Sequence, residues 1–324
     1  MKITLKPYWA EINMSVHKPV MLKESMESLN IKREGTYVDM TFGRGGHTKE
    51  IIKNLISGTV IAFDLDDDAI SSAEAIKAPP TIAFQVIKGN FKDIKVNLET
   101  QRITKVDGIL LDLGVSSPQF DTPERGFSYR YDAPLDMRMD QDQRLTAADI
   151  VNTYPPKELY RIFRDYGEEK FAKPIAREIE TQRAIKIITT TGELVELVKK
   201  VLPKKVLLKD KHPAKQIFQA LRIETNRELE NLKIALKNSA NLLKPSGRLV
   251  VITYHSLEDR IVKQFFRELT VVQGNRLNIP TSPDEGKTEY ELLYRKSIKP
   301  SNEELNENPR AHSAKLRVLV RKTN

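Results

Sequence analysis

Asp39-Met40-Thr41-Phe42-Gly43-Arg44-Gly45-Gly46-His47 is the stretch on which the fold turns. An apolar segment, Tyr37–Thr41, runs into it as a candidate strand, and Thr48–Leu55 leaves it with the spacing of a helix. Glycine at such a junction lets backbone approach a ligand as closely as a Cβ would forbid. The stretch follows D-x-G-x-G-x-G with Thr41 in place of the first glycine, while Gly43 and Gly45 keep the other two. Taken alone, it reads equally as a tight strand-to-helix connection, so its neighbours decide.

Downstream, Val60–Asp64 forms a second candidate strand and ends on Asp64, 19 residues after Gly45. An acidic side chain there accepts hydrogen bonds from ribose hydroxyls. A third strand, Ile82–Ile87, is followed by Gly89-Asn90-Phe91, where Phe91 either lies against an adenine ring or packs into the core. The fourth, Gly108–Leu113, carries Asp112 at its end, and a fifth, Leu249–Thr253, comes much later. Ile109-Leu110-Leu111 and Leu249-Val250-Val251-Ile252 are continuous apolar runs, as in parallel strands buried on both faces. With Asp68–Ala78 as another helix, the order βαβαβ predicts a doubly wound, Rossmann-like α/β domain whose ligand lies at the carboxyl ends of the strands. A dinucleotide fingerprint starting at Gly43 requires glycine where Thr48 stands, and about 35 residues precede the first strand, so a nicotinamide cofactor fits less well.

Composition bounds the rest. The chain has 324 residues, 40% hydrophobic and 30% charged, enough for one large core or a core with a smaller domain. No cysteine is present, which excludes disulfides and thiolate metal sites. The five histidines show no metal-binding spacing, so a metal-free cytoplasmic protein is expected. No apolar run approaches the ~20 residues that span a bilayer, and Lys6, Glu11 and Asn13 interrupt any secretory pattern. The net charge of +9 fits either a polyanionic partner or a lysine-rich surface.

From Leu145 to Leu208 the strand pattern gives way to helices. Leu159, Ile162, Phe163 and Tyr166 follow helical spacing between Pro155-Pro156 and Gly167. Leu194, Val195, Val198 and Val201 repeat it with Thr191 as N-cap, and Lys199, Lys200, Lys204, Lys205, Lys209 and Lys211 follow. Residues 145–212 are therefore expected to form a helical substrate-recognition domain inserted into an α/β domain made of 17–144 and 213–324, with 1–16 as an N-terminal extension. A long helical stretch, Pro213 to Leu243, is expected to stop near Gly247. Glu291–Ile298 and Ala314–Lys322 read as an antiparallel pair closing one edge of the sheet.

Two polar segments adjoin the strand ends. Ser117-Pro118-Gln119 loosely resembles the polar-Pro-Pro-aromatic loop of amino-group methyltransferases; its other reading is a Ser-Pro turn. An exocyclic amine on cytosine is a poor nucleophile, because its lone pair is conjugated into the ring. Acceptors on its protons and proximity to an activated methyl supply what it lacks. In Tyr254-His255-Ser256-Leu257-Glu258-Asp259-Arg260, His255 is placed to contact the target base or a phosphate, or to pass on a proton, and Ser256 with Asp259 reads as an N-cap. Ser117 and His255 are the catalytic candidates. Arg125 and Arg138 lie in a long irregular stretch suited to a substrate lid. Both are candidates for holding phosphates, and Arg138 alternatively pairs with Asp136 or Asp140.

Taken together, these motifs resemble the bacterial small-subunit ribosomal RNA cytosine-N4 methyltransferases, the RsmH/MraW type. The resemblance runs from His17-Lys-Pro-Val-Met-Leu nearly to the C-terminus. It is carried by Thr41-Phe-Gly-Arg-Gly-Gly-His47, Gly108-Ile-Leu-Leu-Asp-Leu-Gly-Val-Ser-Ser-Pro-Gln119, Glu124-Arg-Gly-Phe-Ser128, Pro134-Leu-Asp-Met-Arg-Met-Asp140, Phe218-Gln-Ala-Leu-Arg-Ile223, His255-Ser-Leu-Glu-Asp-Arg260, Asn308-Pro-Arg310 and Ser313-Ala-Lys-Leu-Arg317. It implies a class I S-adenosylmethionine-dependent methyltransferase fold with an inserted helical domain. It also implies methylation of N4 of a cytidine in the decoding region of 16S small-subunit rRNA. The S-adenosylmethionine contacts it implies are Gly45, Gly46, His47, Asp64, Phe91, Asp112 and Gln119. Met40, His312 and Lys215 depart from the family pattern. A DNA amino-methyltransferase and a non-enzymatic RNA-binding assembly factor are the alternatives.

Overall fold

A computed structural model describes residues 19–208, 212–271 and 288–323, with only the backbone at Ser117 and Pro118. The expected extension 1–16, and Lys209 and Lys211 of the basic run, lie outside the described residues.

Among the described residues seven strands form one sheet: β1 (Thr36–Asp39), β2 (Gly58–Asp64), β3 (Ile82–Lys88), β4 (Val106–Asp112), β5 (Leu243–Thr253), β6 (Tyr290–Leu292) and β7 (Lys315–Arg321). Their order is β3-β2-β1-β4-β5-β7-β6. The first five strands pair in parallel, while β7 runs antiparallel to both β5 and β6. The chain thus winds outward from β1 to β3, returns to β4 on the other side of β1, and continues to β5. The order reverses between β1 and β4, and open sheets of this kind bind ligands in the crevice at that point.

The continuous apolar runs have the expected cause. Successive residues of a strand face opposite sides. Val38, Ile109, Leu111, Leu249 and Val251 join one core, and Tyr37, Leu110, Val250 and Ile252 another. Both faces are covered by helices, so neither can be polar. α1 (Leu22–Leu29), α2 (Gly46–Asn54), α3 (Asp67–Ser72), α4 (Ile94–Thr100) and the short α5 (Ser117–Asp121) link or flank the first strands. The class I methyltransferase architecture is therefore present, antiparallel edge included.

Between β4 and β5 come α6 (Ala147–Thr153), α7 (Pro156–Asp165), α8 (Ala172–Arg183), α9 (Thr191–Val201) and α10 (Lys204–Leu207). Leu159, Ile162, Phe163, Ile175, Leu194 and Val198 bury their side chains in one shared cluster. That cluster also takes in Phe127, Met137, Ile217 and Leu221, which lie before and after the five helices in the chain.

Several local expectations are corrected. Thr190, not Thr191, is the N-cap of α9. Its hydroxyl accepts from the Glu193 amide while the Glu193 carboxylate takes the Thr190 amide. The Thr191 hydroxyl instead donates to the Tyr131 carbonyl (2.7 Å). Next, the stretch from Pro213 to Leu243 is two helices, α11 (Lys215–Asn226) and α12 (Glu228–Leu242), broken where Arg227 adopts φ 50°. Finally, α12 ends at Leu242 and passes straight into β5, so Gly247 lies inside that strand rather than at a helix stop. The last helices are α13 (Ser256–Thr270) and α14 (Asn302–Glu307). The expected strand over Glu291–Ile298 shortens to β6, with only an isolated bridge from Ile298 to Leu316.

Candidate functional site

The carboxyl ends of β1, β2 and β4 bring a set of polar side chains together. Asp64 closes β2. Its Oδ2 accepts the Gly43 amide (2.8 Å) and its Oδ1 accepts the Asp66 amide (3.0 Å). Each oxygen keeps a second lone pair for a hydroxyl donor. Burial pushes its pKa up, against the pull of those amides. Gly43 has φ +55°, and no heavy atom lies within 4 Å of where its Cβ would stand, so the loop leaves an open flank beside the carboxylate. Gly45 is required for a different reason: φ is +70°, and a Cβ would sit 2.6 Å from Ile76 and 2.8 Å from Phe42. Gly46 then opens α2.

Behind the loop lies a buried polar group that sequence reasoning passed over. Asp39 accepts the Thr48 hydroxyl (2.6 Å) and the Thr41 amide (3.1 Å), and burial raises its pKa to about 6. It holds the turn in shape. The Thr41 hydroxyl in turn accepts the Asp112 amide (2.8 Å), so the residue that replaces the first glycine of D-x-G-x-G-x-G ties β1 to β4. His47 is buried, and burial lowers its pKa. Its Nε2 lies 3.1 Å from the Val20 carbonyl, which can only accept. Nε2 therefore carries the proton, leaving Nδ1 bare and 3.9 Å from Asp112 Oδ2.

Asp112 ends β4. Tyr254, just past β5, donates its hydroxyl to Asp112 Oδ1 (2.7 Å). Burial lifts the Asp112 pKa to about 7; the Tyr254 hydrogen bond opposes this, and Glu258 and Glu304 add to it. Phe91 opens a single 3₁₀ turn after β3 and is half-buried against the core that holds Ile94 and Leu98.

Gln119 is buried, and both ends of its amide are engaged. Nε2 donates to Asp66 Oδ2 (2.8 Å) and Oε1 accepts the Ser116 amide (3.0 Å). Arg125 Nη1 donates to the same Asp66 oxygen (2.7 Å), and Nη2 reaches the carbonyls of Arg138 and Met139 (3.0 and 3.2 Å). The expectation that Arg125 holds a phosphate is therefore corrected: its guanidinium is buried and spent within the protein. Arg138 makes a two-pronged pair with Asp136 (2.9 and 2.7 Å), the structural alternative of its two readings. Ser117 is the first residue of α5, and its side chain lies outside the described residues.

At the end of β5, the helix cap falls one residue earlier than expected. His255, not Ser256, is the N-cap of α13. The Glu258 carboxylate accepts the Tyr254 and His255 amides (2.7 and 3.2 Å), completing a capping box. Ser256 donates to Glu168 (2.6 Å), which also holds Arg260 (3.0 Å), and Asp259 binds Lys315 and Arg317 (3.0 and 2.7 Å).

Residues 14–322 match the MraW methylase family. The chain belongs to this family. As an MraW methylase it is an enzyme that transfers a methyl group. A curated relative, the ribosomal RNA small subunit methyltransferase H of Mesoplasma florum, is 50% identical over 312 residues, covering 95% of this chain and all of the relative. Solved structures resemble it more distantly. An rRNA methylase from Streptococcus thermophilus has 11% identity and a TM-score of 0.37 over 95% of this chain and 99% of that one. A methyltransferase from Streptococcus mutans in complex with SAH has 12% identity and a TM-score of 0.42 over 94% and 99%. At those scores the likeness adds nothing to what the strand order already gives for this MraW methylase.

Proposed function

We propose that this enzyme methylates N4 of a cytidine in the decoding region of 16S small-subunit rRNA, with S-adenosylmethionine as methyl donor. The observation that carries the reading is the 50% identity, end to end, with a small-subunit rRNA methyltransferase. The residues of the pocket fit the donor. Asp64 offers two oxygens with free lone pairs to a ribose diol, and the open flank at Gly43 leaves room for a large ligand against backbone. Gly45 and Gly46 shape that loop, His47 and Asp112 form a polar wall, and half-buried Phe91 offers a ring face to the adenine. Gln119 serves from behind by holding Asp66 and the start of α5 in place.

The donor supplies a methyl group already activated by a sulfonium, so the protein's work is binding and orientation. Tyr254 and Asp112 fix one edge of the pocket, where an acceptor can take a hydrogen bond from the cytosine amine. Ser117 and His255 remain our catalytic candidates on the flanking loops. Residues 145–212 are read as the recognition unit, seated on α11 through the shared cluster around Ile217. Lys204 and Lys205 supply it with cations for phosphate, and Lys199 and Lys200 can exchange onto phosphate from Glu196 and Glu178. No helix among the described residues is long and apolar enough to cross a membrane, and we place the enzyme in the cytoplasm with the small ribosomal subunit as partner.

The test is methyl transfer from labelled S-adenosylmethionine to small subunits lacking prior modification, followed by digestion to nucleosides. Label in N4-methylcytidine is expected from the wild type, and its loss from Asp64→Ala. Label in another nucleoside, or only in duplex DNA, overturns the assignment.

A further inference from the structure

One group of side chains joins the catalytic candidate His255 to two carboxylates that the chemistry above does not use. Glu228 at the start of α12, His255 at the N-cap of α13 and Glu258 one turn into α13 place one donor atom each within 4.8 Å of one another. The Glu258 and His255 side chains are 4% and 10% exposed. His255 Nε2 is buried and makes no hydrogen bond, although it lies 3.0 Å from Glu258 Oε1. His255 Nδ1 takes the Glu258 amide only at 3.5 Å, so Nε2 can ligate an ion once the ring proton sits on Nδ1 and that long cap contact is given up. Glu258 Oε2 is occupied by the Tyr254 and His255 amides, so Oε1 is the free oxygen.

Two ligands about 2.1 Å from one ion, and adjacent in its coordination sphere, stand about 3 Å apart. We propose that Glu228, His255 and Glu258 form a divalent-cation site of the transition-metal class. An imidazole with two carboxylates suits zinc or manganese better than magnesium or calcium, which favour all-oxygen sites. Arg222 grips both Glu228 oxygens (2.8 and 2.9 Å) but takes only one lone pair from each. Two carboxylates and one guanidinium leave the pocket with a net charge of −1 when the imidazole is neutral, so a dication is electrostatically welcome. Three protein ligands leave coordination positions for water or an anion such as phosphate. The ion would fasten α12 to the β5–α13 turn. Tyr254, the residue before His255, would thereby hold Asp112 more firmly.

The test uses the full-length protein, stripped with chelator and dialysed. Zn²⁺ and, separately, Mn²⁺ are titrated by calorimetry, with Mg²⁺ as comparison, and bound metal is counted by elemental analysis. One equivalent of Zn²⁺ or Mn²⁺, bound at least tenfold more tightly than Mg²⁺, is expected. So is a rise in melting temperature that grows with free metal. Binding should fall at least tenfold in His255→Gln and in Glu228→Gln, the second of which keeps the shape of the carboxylate and leaves α13 untouched. A folded wild type that takes up neither ion overturns the site, as does unchanged affinity in both variants. Methyl transfer enters neither readout, so the site can fail while the functional reading stands.

Discussion

Replacing Asp112 by asparagine should stabilise the ligand-free protein at pH 8 and leave it nearly unchanged at pH 4. The carboxyl group titrates at about 7 in the folded protein, against 3.8 as its ordinary value. A carboxyl with a raised pKa binds its proton more tightly when folded. Its contribution to stability is therefore complete below about pH 4, is lost as pH rises towards 7, and stays lost above that. A shift of about 3 units corresponds to roughly 4 kcal/mol between the two ends of that window. The side chain keeps 21% of its surface exposed, so water relieves part of this and roughly 4 kcal/mol is a ceiling. Asparagine keeps an acceptor for the Tyr254 hydroxyl and turns an amide donor towards the bare Nδ1 of His47. Urea unfolding of both proteins at pH 4 and pH 8 measures the difference, with shared titrations cancelling. Asp39 cancels incompletely, because the Asp112 charge helps raise its pKa. A stability difference between the two proteins that is the same at both pH values would refute the argument. The same substitution should weaken S-adenosylmethionine binding, setting stability against function at one atom pair.

Other outcomes follow from named contacts. Arg125→Met should destabilise by about 3–5 kcal/mol, because it strands the Asp66 carboxylate in a buried place; adding Asp66→Asn should recover most of the loss in denaturant unfolding. Gly45→Ala imposes a left-handed backbone on alanine at about 1–2 kcal/mol and drives a Cβ into Ile76 and Phe42, so both the unfolding midpoint and donor affinity should drop. Thr190→Ala should cost about 1 kcal/mol through loss of the α9 cap, and Thr189→Ala, which lies outside the cap position, should cost less in the same unfolding assay.

The parallel half of the fold was legible because strands buried on both faces must be apolar without interruption, and Ile109-Leu110-Leu111 has no other comfortable reading. Strand ends then located Asp64 and Asp112. The capping pattern Thr190-x-x-Glu193 was also visible, although neighbouring threonines obscured which one held the cap. What sequence did not reveal depends on distant partners. Asp66 meets Gln119 and Arg125 across 53 and 59 residues, and Ser256 meets Glu168 across 88. Nothing local in Arg125 distinguishes a phosphate clamp from an internal strut. The break at Arg227 is hidden for a related reason: an arginine stands where the left-handed turn between helices would ordinarily call for glycine or asparagine.

β4 and β5 lie side by side, yet Asp112 ends one and Leu243 begins the other, with eight α-helices strung between them. Closing so long a loop adds little to the equilibrium cost, since each doubling of length adds only about 0.6 kcal/mol. Its effect on time is larger, because contacts distant in sequence form late. The first three strands can pair from local segments as soon as they are made. β5 must wait for the whole insertion, and β7 waits for β5. By sequence separation alone, the half holding Asp39 and Asp64 is expected to form before the half holding Tyr254 and His255. A chain halted before β5 would carry the glycine loop without the tyrosine that anchors Asp112.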